Sequence, residues 1–131
     1  MPAPSVPTYS ATALVNAHTG FRDLIDGGAG AGFVRIRSAA DVLLAQIPLP
    51  DPCGTVNGTT GRLTFTVAAA EDASADASGT AAYGEFCDSN AVVHLAIPAQ
   101  VGTAAVTGFI VLNTLSIVVG GPVRLLSATI G

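Results

Sequence analysis

The stretch from Leu95 to Val123, LAIPAQVGTAAVTGFIVLNTLSIVVGGPV, contains no charged side chain. A run of that length and hydropathy is long enough to cross a bilayer as a helix. Its interior argues otherwise. Pro98, Gly102, Gly108, Asn113 and the Gly120-Gly121-Pro122 break interrupt any helix, and no Lys or Arg flanks its start. Short apolar runs bounded by such breakers read as buried strands, so the segment predicts a β-rich core and no membrane span.

The rest of the chain fits that core. The 131 residues suit a single domain. Half of them are hydrophobic and only 11% are charged, well below the usual share of about a quarter. A surface so poor in charge predicts burial against a partner or against copies of itself. Five Arg, no Lys and nine acids leave a net charge of -4. That balance excludes the basic stripe by which proteins displace counterions from nucleic acid. The N-terminus, MPAPSVPTYS, has neither a positive region nor an apolar run, so no secretory signal is expected.

Residues 1–9 carry Pro2, Pro4 and Pro7 and end at Tyr9, a composition that predicts an extended arm. A single domain is expected over 10–131, led by a helix over 10–27. Ser10 is a plausible N-cap, and Leu14, Ala17, His18, Phe21, Leu24 and Ile25 recur at helical spacing. The helix should end at GGAGAG, residues 27–32. That run follows a helix and precedes a strand, the reverse of a phosphate-binding loop, and it has neither GxGxxG spacing nor a GK[ST] ending. It predicts a C-cap and linker.

Beyond it, FVRIR places Val34 and Ile36 on one face and Arg35 and Arg37 on the other, and RLTFTV alternates in the same way. VLLAQIPL and VRLLSATI also read as strands, and AAAEDASADASG (68–79) as a solvated loop or one helical turn, since it lacks the order of a calcium loop. The fold class expected is mainly β: an antiparallel β-sandwich or jelly-roll-like barrel of about seven to eight strands with one short N-terminal helix.

Candidate chemistry concentrates in GEFCDSNAVVHLAI (84–97). With an even-numbered hairpin loop centred on Ser89-Asn90, Cys87 faces Val92, Glu85 faces His94, and Tyr83 faces Ala96. The other side is then wholly apolar, whereas a three-residue loop would mix the faces. In the even register Glu85 and His94 form a stabilising cross-strand pair. Cys87 lies diagonal to His94, with no third residue to orient the imidazole, so a Cys-His hydrolase is not supported. Cys53 and Cys87 are expected free and buried. His18 reads as a core or interface histidine. The carboxylates are scattered, and no catalytic residue, metal site or cofactor site is expected.

Three stretches resemble a family of small structural proteins of tailed bacteriophages and prophages: LIDGGAGAGFVRIRS, ASADASGTAAYGEFCDSNAVV and LNTLSIVVGGPVRLLSATI. The matching residues are Asp26, Gly28, Gly30, Gly79, Thr80, Asp88 and Ser89, then Leu112, Asn113, Ser116, Ile117, Val119 and Gly120. The chain departs from the family pattern at Asn90-Ala91, where Asp-Gly is usual, and at Tyr83-Gly84, where two bulky residues are usual. The resemblance implies a virion component made in the host cytoplasm, and with the composition it suggests a head decoration or cement protein. Its partners would be the major capsid protein and further copies of itself, with Pro2, Pro4, Pro7, Tyr9, Tyr83, Glu85 and His94 as candidate interface residues. A tail, neck or tail-tip subunit is the alternative. A carbohydrate-binding sandwich is more remote, because such sites stack sugars on exposed aromatics and the chain has no Trp and only two Tyr.

Overall fold

The structure is a computed structural model that describes Ala3, residues 8–67 and residues 71–131. The expected prolines Pro2, Pro4 and Pro7 lie outside the described residues. Helix α1 runs Ala11–Ile25, and Ser10 caps it by accepting a hydrogen bond from Ala13 N at 3.1 Å. Its buried seam is narrower than the expected stripe. His18 and Ile25 are buried and Leu14 and Phe21 half-buried, but Ala17 faces solvent and Leu24 is 51% exposed. The spacing 14, 18, 21, 25 is that of a helix resting on a sheet along one ridge, which leaves residues at the stripe's edge outside.

The strands are β1 (Phe33–Ser38), β2 (Leu43–Pro48), β3 (Gly54–Val56), β4 (Leu63–Phe65), β5 (Glu71–Asp72), β6 (Gly79–Cys87), β7 (Val93–Val101), β8 (Ile110–Leu112), β9 (Ser116–Ile117) and β10 (Val123–Ile130). They form one curled sheet in the order β2-β1-β6-β7-β8-β10-β4-β3, with β5 paired to β10 and β9 to β6. The mainly β, barrel-like class expected from the sequence is the one observed. The sheet is mixed, however, because β7 and β8 run parallel. A short loop suffices for that parallel step: Ala99 pairs with Ile110 and Val101 with Leu112, so the chain backs up only along a three-residue strand.

Alternation places the core. Val34, Ile36, Ala45, Ile47, Phe86, Ile110, Leu112 and Leu125 are at or near complete burial. Phe65 on β4 stacks on Phe86 of β6, with ring centroids 4.2 Å apart and planes 23° apart. Three strands separate β4 from β6 within the sheet, so this stack spans the interior of the curl. The segment expected as a solvated loop helps close it. Glu71 and Asp72 pair with Arg124 and Val123 of β10, while Gln46 N donates to Asp72 Oδ2 at 3.0 Å and Asp76 N to Leu44 O at 2.8 Å. Residues 71–76 therefore bridge β2 and β10, and a two-residue strand stands where no strand was predicted.

Position 84 has room only for glycine. A Cβ there would collide with Ile110 Cδ1 and approach Val34 to 3.2 Å. Glycine gives Ile110 the room it fills. The helix ends at Ile25, two residues short of the expected 27, and its C-cap is Asp26 and not the glycine run; residues 27–32 are a linker, with Gly28 at a φ of 99° and Gly32 O accepting from Leu49 N at 3.0 Å.

Candidate functional site: the outer face of the central hairpin

The β6–β7 hairpin turns through three residues, Ser89, Asn90 and Ala91. Asp88 N donates to Val92 O at 3.1 Å and Ala91 N to Asp88 O at 3.0 Å, with Ala91 left-handed at φ 66°. That is a type I turn followed by a left-handed residue, the usual three-residue hairpin. The even loop expected from the sequence is thus corrected. Parity is restored one step later. Cys87 pairs with Val93 but Phe86 with Leu95, so His94 is the extra residue of a β-bulge. Turn and bulge together shift the pairing by two, so of the apolar side predicted for Ala82, Gly84, Phe86, Val93, Leu95 and Ile97, Val93 is lost: it pairs with Cys87 ahead of the bulge and is 42% exposed.

The partners change with that shift. Glu85 faces Ala96, and Tyr83 faces Pro98. The predicted Glu85–His94 pair does not form, because the bulge carries His94 past Glu85. Glu85 instead takes the guanidinium of Arg37 through Nε, and the two side chains are 18% and 21% exposed. Arg37 Nη1 also donates to Asp41 O at 3.0 Å, and Tyr83 Oη donates to Asp41 Oδ1 at 2.6 Å. Holding Glu85 raises the Arg37 pKa, and the bond to Asp41 raises that of the Tyr83 phenol. His94 Nε2 meets Asp88 Oδ2 at 3.0 Å. Asp88 Oδ1 accepts from Asn90 N at 2.9 Å and Val92 N at 3.1 Å. The bond from His94, reinforced by these amides, lowers the Asp88 pKa from its ordinary 3.8.

Arg35 completes the face. Its guanidinium carbon lies 5.3 Å from the Phe33 ring centroid, and its Nε is buried without a hydrogen-bond partner. The cysteines are free and buried, as expected. Burial pushes the Cys87 thiol up and, with Asp26 beside it, the Cys53 thiol to about 12. Neutral, sealed thiols are poor nucleophiles. Of the candidate interface residues, Tyr9 is 70% exposed, whereas Tyr83, Glu85 and His94 are half-buried in bonds within the chain. Asp41 was not foreseen as part of this face, and Arg37 and Asp88 were given no role in it. Arg37 was on view in FVRIR, on the face away from the core, but its partner depended on which strand lay beside β1.

Among the described residues no group of three or more His, Cys, Asp or Glu could hold a metal ion, and no helix is long and apolar enough to cross a membrane. No protein-family model, curated protein or solved structure matches the chain.

Proposed function

We propose that the protein is a bacteriophage virion structural subunit, a decoration or cement protein that binds the major capsid protein and copies of itself on the head. The observation that carries this reading is apolar exposure on a charge-poor surface. Tyr9, Leu24 and seven valines, Val42, Val92, Val93, Val101, Val106, Val118 and Val119, are at least 36% exposed. Val118 and Val119 are 64% and 58% exposed on one turn, in a chain with only 11% charged residues. Such side chains find cover in a lattice of neighbours, where apolar contacts form the interface core. A subunit that binds only the assembled shell stabilises it by linkage.

Cryo-electron microscopy of intact particles tests the reading. The domain is expected at regular positions on the shell; density confined to the tail, neck or tail tip would replace it with the alternative virion role.

A further inference from the structure

The β3–β4 hairpin closes on a loop held from both sides. Asn57 Oδ1 accepts from Thr59 N at 2.8 Å and Thr60 N at 2.9 Å, and Gly61 N donates to Asn57 O at 2.8 Å. From α1, His18 Nδ1 bonds Gly61 O. Beside this loop lies an open cleft of about 430 Å³, lined by Thr55, Val56, Asn57, Thr60, Arg62, Thr64 and Gly131. That volume lies in the range of small-molecule sites.

Its polar side chains have donors to spare. The Asn57 oxygen is committed to the loop, which leaves its NH₂ group. Thr60 Oγ1 accepts from Arg62 N at 3.3 Å, which leaves its hydroxyl proton. Thr55 and Thr64 stand opposite each other in the ladder, and Thr129 continues the row from β10. Three other arginines have a carboxylate within 4 Å: Arg22 has Asp23, Arg37 has Glu85 and Arg124 has Glu71. Arg62 has no such partner among the described residues, and no side chain lining the cleft is acidic.

One cation, three hydroxyls and an amide NH₂ on the β3–β4 hairpin offer more hydrogen-bond donors than the roughly four lone-pair sites of a carboxylate take up. They suit a tetrahedral oxyanion, for which a guanidinium supplies charge and paired donors. We infer that this cleft binds a phosphate group, with Arg62 as its charge partner and Thr55, Thr60 and Thr64 as hydroxyl donors. The phosphate is either free or carried as an ester of a small alcohol, for which the cleft has room. Because the loop is already tied down, little ordering cost opposes binding.

Amide chemical shifts of the full chain, titrated with inorganic phosphate, glycerol phosphate and glycerol, test the site. Saturable shifts are expected at residues 55–64 and Gly131 with the two phosphates. Arg62→Gln should weaken binding about tenfold or more, the loss expected for a charge-assisted hydrogen bond. Thr64→Val should weaken it less, and Arg124→Gln should leave it unchanged. Tighter binding of glycerol phosphate identifies an ester ligand; equal affinity identifies the free ion. No saturable shift with either phosphate, equal binding of glycerol alone, or equal loss in Arg124→Gln would overturn the assignment. None of these results depends on where the protein sits in a particle, so the site and the virion reading fail separately.

Discussion

Ala91 shows how one side chain sets the cost of a turn. Its φ of 66° is left-handed, a conformation in which an L-residue's Cβ crowds the following carbonyl oxygen. Ala91→Gly is therefore expected to stabilise the fold by roughly 0.5–1 kcal/mol, the relief of crowding less the extra chain entropy of glycine. A rise in the urea midpoint at unchanged slope checks it; a fall would show that the Ala91 methyl makes contacts worth more than the strain. Asp41 is left-handed as well, at φ 64°, in the turn between β1 and β2. There the side chain also receives the Tyr83 hydroxyl, so the residue is held by a bond as well as tolerated by the turn.

At the scale of the element, the hairpin links turn chemistry to pH. Asp88 ties the turn amides to the bulged His94, and its pKa is lower in the folded chain than its ordinary 3.8. A lowered carboxyl pKa contributes stability that is fully present above the unfolded value of 3.8 and is lost as pH falls through the folded one. Stability should therefore decline on acidification below about pH 4. Asp88→Asn keeps an oxygen for the amides of Asn90 and Val92 but does not titrate. Its thermal midpoint is expected to be lower near neutrality and flatter below pH 4 than that of the parent. Parallel curves for the two proteins would remove Asp88 from the acid response.

The same hairpin shows what was legible. Which residues face the core followed from alternation for Phe86, Leu95 and Ile97, because a one-residue slip would have turned Phe86 outward, but it failed for Val93 between the turn and the bulge. Who pairs with whom did not follow. The three-residue turn and the bulge at His94 are each an odd step, and two odd steps look like none when only faces are counted. The helix start at Ser10 was legible for a local reason, since a cap is made within one turn of chain.

For the whole molecule, the Phe65–Phe86 stack joins parts of the curl that share no strand pairing. Both rings are at most 2% exposed. Phe65→Ala or Phe86→Ala is expected to cost about 3–5 kcal/mol. The double variant should cost less than the sum by roughly 0.5–1.5 kcal/mol, the coupling typical of an aromatic pair. Denaturant unfolding of the four proteins in the cycle measures it, and strict additivity would mean that the two rings act separately. Closure by residues 71–76, like the stack, joins positions far apart in the chain.

That separation divides the two sources of information. Local sequence was enough for the β-rich class, the leading helix and its N-cap, the inward residues of β1, β4 and β6 and the burial of the cysteines. Those properties depend on periodicity, turn chemistry and burial of apolar groups, all read within a few residues. Tertiary structure alone settled the parallel β7–β8 pair, the bridge between β2 and β10 and the pairing of Glu85 with Arg37. Each of these three rests on which distant strand becomes a neighbour, and that choice is made by packing of the whole core.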